Sequence, residues 1–187
     1  VTVTSGVPTL KAGESALITF TFTEAQLDFS VADVMLVGGT LGAVTAADID
    51  GKIYTATFTP NVDTTVDASI TVGTPYADAA GNARVVNESP VIAIDTEVPL
   101  APTLAEGASA DGGVAVTAEE SALVTLTFTN SANNKVVEKT IDAVAAEAQT
   151  VVLTADDMSS LGDGTINVSA VVTDAAGNVS QPSLTSF

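Results

Sequence analysis

The side chains able to do chemistry here are almost all carboxylates: Asp and Glu number 23 against 5 Lys and Arg, and His, Cys and Trp are absent. Without His there is no Ser-His-Asp hydrolysis, no usual general base near neutral pH and no imidazole metal ligand. Without Cys there is no disulfide framework, thiolate zinc site or Cys nucleophile. What remains is an all-oxygen donor set of Asp, Glu and Asn, which suits a hard divalent cation such as Ca2+ with its shell of about six to eight oxygens. One oxygen-rich segment, Asp78-Ala79-Ala80-Gly81-Asn82, recurs letter for letter as Asp174-Ala175-Ala176-Gly177-Asn178. The same five residues also make a sound plain turn, since Asp and Asn bond their own backbone and Gly accepts a left-handed conformation. Nothing pairs one desolvated acid with one solvated acid in a cleft, as a glycosidase requires, so the chain is expected not to be an enzyme.

A formal net charge of -18 and a pI near 4.1 repel phosphate backbones and anionic membrane surfaces, which excludes ordinary nucleic-acid binding. No apolar run approaches the roughly 20 residues of a membrane helix, and no charged-then-apolar leader opens the chain. It reads as a soluble, excised piece, monomeric as a fragment and with no membrane insertion.

The elements that must position these acids are short strands. Ile18, Phe20 and Phe22 alternate with Thr19, Thr21 and Thr23, and Val124, Leu126 and Phe128 alternate in the same way before Thr129. Further strands are expected over Lys52 to Thr59, Ala68 to Val72 and Ile166 to Thr173, with a short helix over Ala155 to Leu161. Turn signals such as Gly38-Gly39, Asp50-Gly51 and Asp163-Gly164 punctuate them, which indicates an all-β sandwich. Asp48-Ile49-Asp50-Gly51 lacks the downstream Glu and flanking helices of an EF-hand and reads as a hairpin turn. Asn167-Val168-Ser169 and Asn178-Val179-Ser180 fit glycosylation sequons, a pattern common by chance.

Internal repetition sets the organisation. Ala12 to Leu17 resembles Ala118 to Leu123, and the two Asp-Ala-Ala-Gly-Asn segments follow at an offset about ten residues shorter, as if the second copy were trimmed in its middle. Between the copies, Pro99 and Pro102 stiffen the chain. Two modules are expected, 1–95 and 96–187, with a linker at about 94–100.

At these residues the chain resembles the tandem bacterial immunoglobulin-like domains of giant surface adhesins of the biofilm-associated and repeats-in-toxin type. The likeness is carried by the Ala-Gly-Glu opening at Ala12, by Thr21-Phe22-Thr23-Glu24-Ala25, by the linker Ile94 to Pro99 and by both Asp-Ala-Ala-Gly-Asn loops. It implies two immunoglobulin-like sandwiches end to end, an extracellular place on a bacterial cell surface, neighbouring repeats of the same polypeptide as partners, and calcium at domain junctions. Glu97 departs from the small residue usual in that linker.

Strand direction alternates in a seven-stranded sandwich of this type, so loops sort to two poles. That rule assigns Glu14, Asp63, Asp95 and Glu97 at the exit of the first module, and Asn130, Asp174 and Asn178 at the entrance of the second, to one interdomain calcium site. Glu24, Asp33, Asp78 and Asn82 form an N-terminal half-site, and Glu119, Glu120 and Asp163 a C-terminal one. Without the ion, two carboxylates about 5 Å apart would repel by roughly 3 kcal/mol at an effective dielectric of about 20. The function expected is a calcium-stiffened, non-catalytic extender supporting adhesion and biofilm formation. The alternative is direct binding of a glycan, ice or a protein, for which exposed aromatics are scarce.

Overall fold

The structure, a computed structural model, describes residues 1–73, 91–105, 113–119, 122–142 and 147–187. The chain divides into two compact units, Val1–Glu97 and Val98–Phe187.

In unit 1 the described strands are β1 (Thr2–Ser5), β2 (Thr9–Lys11), β3 (Ala16–Thr21), β4 (Val34–Val37), β5 (Gly39–Leu41), β6 (Thr45–Ala46), β7 (Ile53–Pro60), β8 (Ser69–Val72) and β9 (Ala93–Asp95). One sheet runs β1-β3-β7-β5, with β6 also on β7. The opposite layer holds the antiparallel pair β4-β8, an Ala68–Ile92 bridge and the parallel pair β2-β9. The first strand therefore changes layers at Gly6 to Pro8: β1 pairs with β3, then β2 leaves to pair with β9. Between the layers lie Ile18, Phe20, Tyr54, Ala56, Phe58, Ala68, Ile70 and Val72, the inward positions that the alternation marks. Phe20, Phe22, Phe29 and Tyr54 meet edge to face, with Phe22 and Phe29 centroids 4.8 Å apart. Burying each such ring contributes about 2–3 kcal/mol.

In unit 2 the described strands are β10 (Thr103–Ala105), β11 (Gly113–Thr117), β12 (Leu123–Asn130), β13 (Val136–Asp142), β14 (Gln149–Val152), β15 (Ile166–Thr173) and β16 (Ser183–Ser186), with helix α1 (Ala155–Leu161) between β14 and β15. One sheet is β10-β11-β14 and the other β13-β12-β15-β16. Val124, Leu126 and Phe128 of β12 and Ile166, Val168, Ala170 and Val172 of β15 fill the space between, with Val114 and Val116 of β11. The helix stands where expected. Among the described residues no helix is long and apolar enough to cross a membrane.

The two segments that look like copies, Ala12 to Leu17 and Ala118 to Leu123, lead into strands with different places in their units. β3 pairs with β1 and β7, whereas β12 pairs with β13 and with β15, the strand that runs directly into Asp174. The unequal offset thus reflects non-equivalent strands and not a ten-residue trimming of the second copy. Alternating Thr and apolar residues describe any strand with one buried face, so the pattern recurs without marking the same position.

Helix α1 begins with a capping box. Thr154 N–H and Oγ1 donate to Asp157 Oδ2 at 2.8 and 2.7 Å, and Asp157 N–H donates back to Thr154 Oγ1 at 3.2 Å. Lys139 Nζ on the edge strand β13 lies 2.6 Å from the same Oδ2. Lys139 first, then Thr154, lowers the Asp157 carboxyl from 3.8 to about 2. A depressed carboxyl pKa favours the fold above the unfolded value, and that contribution is lost as pH falls through about 2. We expect K139M to move the Asp157 titration midpoint back towards 3.8, followed by carboxyl NMR, and to shift acid unfolding to higher pH. An unchanged midpoint in K139M would contradict the ion pair.

Candidate functional site

Four of the nominated acids gather at the C-terminal pole of unit 1. Glu14 sits in the turn between β2 and β3, where its N–H donates to Lys11 C=O at 3.1 Å and its Oε2 accepts from Lys11 N–H at 3.1 Å. Lys11 is the register partner of Asp95 on β9, which brings Glu14 beside the start of the linker. Asp95 Oδ1 accepts the Glu97 N–H at 3.2 Å, an Asx-type turn that sets the course of the chain after β9. Asp63, with a positive φ of 49°, lies in the loop after β7.

The residue that joins this loop to the linker is Thr96. Its buried Oγ1 donates to Asn61 C=O at 2.7 Å and accepts from Thr64 N–H at 3.1 Å, and its own N–H donates to Thr64 C=O at 2.9 Å. Asp67 Oδ1 adds a bond from Ile94 N–H at 3.3 Å. The linker therefore leaves unit 1 stapled to the loop that carries Asp63.

At the N-terminal pole of unit 2, Asp174 and Asn178 close their loop on each other. Asp174 Oδ1 accepts Asn178 N–H and Oδ2 accepts Asn178 Nδ2, both at 2.8 Å, while Asp174 N–H donates to Asn178 C=O at 3.1 Å. Gly177 takes the expected positive φ of 87°. Asn178 is buried and Asp174 half-buried, so the pair forms a tight turn with its carboxylate directed into its own loop.

Asn130 is not at that pole. It pairs with Ile166, whereas Thr173, which precedes Asp174, pairs with Leu123 at the other end of the ladder. Seven residues of strand separate the two ends, about 23 Å. Buried Asn130 instead holds the loop after α1: its Nδ2 donates to the carbonyls of Leu161, Gly162 and Asp163, each at 3.1 Å, and its Oδ1 accepts from Ala132 N–H at 2.7 Å. Asp163 shares this C-terminal pole. Glu119 does not, because it lies four residues before Leu123, on the Asp174 side. Asn130 and Glu119 thus exchange poles relative to the sequence reading. The cause is β11, a strand of small residues that the sequence reading does not count. One uncounted strand makes β12 third rather than second in its unit and reverses the pole of the loops at both its ends.

Glu24 and Asp33 both lie in the segment from β3 to β4, at the N-terminal pole of unit 1. Asp33 Oδ2 caps a short 3-10 turn by accepting Ser30 N–H at 2.9 Å and Ser30 Oγ at 3.1 Å. Asp78, Asn82 and Glu120 lie outside the described residues.

Residues 1–94 match the bacterial Ig-like domain family. The chain belongs to that family. No curated protein matches the sequence. Among solved structures, the bacterial Ig-like chain is similar to the tetra-tandem repeat in the extending region of a large adhesion protein, with 22% identity and a TM-score of 0.38 over 100% of this chain and 48% of that one. It therefore spans about half the length of that structure. It is also similar to the fibronectin(III)-like modules of Clostridium thermocellum CbhA, with 16% identity, 98% and 92% coverage and a TM-score of 0.43. A third likeness is to the BSP domain of a biofilm-associated protein, with 15% identity, 99% and 29% coverage and a TM-score of 0.36.

The donors of this bacterial Ig-like chain are hard oxygens, the type Ca2+ takes. Among its described residues, however, no three acidic side chains converge closely enough to hold a metal ion. Glu14, Asp95 and Asp174 each direct at least one carboxylate oxygen onto their own backbone. Two positioning residues, Thr96 and Asp67, escape sequence reading. A Thr flanked by acids in a linker carries no signal beyond its polarity, and its role depends on a loop about thirty residues upstream.

Proposed function

We propose that this chain is a non-catalytic extender segment of a bacterial cell-surface adhesin, placed outside the cell among neighbouring Ig-like repeats, with calcium setting the angle between its two units. The observation that carries the reading is the exit pole of unit 1, where the pairing of β2 with β9 sets Glu14 beside Asp95 and the Thr96 staple ties the Asp63 loop to the linker before Glu97. Glu119 and Asp174 stand at the pole where unit 2 receives it. Among the described residues neither unit gathers three acids by itself, and in this proposal the ion shell draws donors from both. Asn130 and Asp163, at the far pole of unit 2, are outside that shell, and a junction with a following repeat is where Asp163 belongs.

Small-angle scattering with calcium and with chelator tests this directly. We expect calcium to narrow the distribution of interdomain distances, and D95N combined with E97Q to abolish the effect while leaving both units folded. Superimposable curves in calcium and chelator would sink the calcium part of the proposal.

A further inference from the structure

The outer face of β12, β15 and β16 carries a recess of about 450 Å³. Two rows of side chains cross it in register. Thr127, Ser169 and Leu184 form one, and Thr129, Asn167 and Ser186 the other. Antiparallel partners point to the same side of a sheet, so hydroxyl and amide groups stand about 5 Å apart across the strands and about 7 Å apart along them. Leu184, 74% exposed, supplies an apolar surface among them. The volume falls within the range of ligand pockets, about 300–1,000 Å³.

The charge pattern selects the ligand. In a chain with 23 acidic residues, no acidic or basic side chain lines this recess. The nearest acid in the row, Glu138 on β13, pairs with Thr127 one strand beyond it. A carboxylate at the rim repels anionic ligands and accepts bonds from hydroxyls. An uncharged field of donors and acceptors beside one exposed aliphatic side chain matches a molecule with hydroxyls on its edges and C–H groups on its faces.

From this geometry we infer that the β12-β15-β16 face of unit 2 is a binding site for a neutral oligosaccharide. It acts beside the extender role and does not depend on calcium. Recognition rests on Asn167, which offers both a donor and an acceptor, and on the hydroxyls of Thr127 and Ser169, with Leu184 against a sugar face. Without an aromatic platform the affinity is modest, with a Kd of about 1 mM.

The test is a titration of neutral, sialylated and sulfated oligosaccharides, each to well above about 1 mM, into the isotope-labelled whole chain in chelator. We expect saturable amide shifts with neutral glycans, centred on Thr127 and Ser169, and weakening by about tenfold in N167A, the loss of one well-placed hydrogen bond. T127K should remove binding, while T57K on the exposed hydroxyl-rich face of unit 1 leaves it unchanged. All three positions are on outer sheet faces, and an unaltered far-UV spectrum confirms that each variant folds. No saturable shift with any neutral glycan, shifts with acidic glycans alone, or shifts lying off this sheet would overturn the inference.

Discussion

G39A is expected to cost unit 1 about 3 kcal/mol or more, a large share of the roughly 5–15 kcal/mol that holds a domain folded. A Cβ on Gly39 would fall 2.3 Å from the Thr59 carbonyl oxygen and 2.5 Å from Phe58 Cζ. Neither neighbour can yield: the carbonyl belongs to the partner strand β7, and Phe58 is fully buried between the sheets. Gly13 is the contrast, with open space around it and only a positive φ of 80° to satisfy, so G13A should cost about 1–2 kcal/mol. The chain has two Tyr, Tyr54 and Tyr76, both in unit 1, and no Trp, so Tyr fluorescence during urea unfolding reports unit 1 alone. A Tyr transition that does not move in G39A would show that β5 does not approach β7 as closely as described.

N130A should have a comparable effect on unit 2, about 3 kcal/mol. It strips a hydrogen-bond donor from three carbonyls and the acceptor from Ala132 N–H in one step. The loop after α1 depends on this side chain, and the space a Cβ on Gly164 would need is already filled by Asn130 Oδ1 at 3.0 Å. N130D should be worse, because a carboxylate oxygen would face carbonyl oxygens where an NH2 group donated. Far-UV circular dichroism should show a lowered transition while the Tyr signal of unit 1 keeps its midpoint. If N130A and N130D were equally mild, the three-carbonyl clasp would not carry the loop.

Local alternation made most of the strands legible, because a half-buried strand writes its inward face into every second residue. Ile18, Phe20 and Phe22, then Tyr54, Ala56 and Phe58, all face inward as the sequence implies. The short helix was legible as well, from its acidic first turn and the Gly that follows it. What sequence hid was count and partnership. β11, written Gly-Val-Ala-Val-Thr, has too little bulk to stand out in the sequence, and overlooking it reversed the poles of Asn130 and Glu119. The layer change of the first strand was hidden too, since nothing local to Gly6 to Pro8 says that β2 will seek β9 across the unit. Of the candidate site, the exit pole of unit 1 and the Asp174 turn were readable. The Thr96 staple was not, because its partners are distant in the chain and near only in the fold.

Tension applied between the two ends of unit 1 would enter through its first strand and leave through its last. β2 and β9 run parallel, with Thr9, Leu10 and Lys11 set against Ala93, Ile94 and Asp95. Pulling the two ends apart drags these strands past one another along their length, so the bonds between them resist together instead of opening one by one as a zipper does. A three-residue ladder is short, yet it lies across the direct route of the load. Loaded in this way, unit 1 is expected to hold its length and then to yield abruptly.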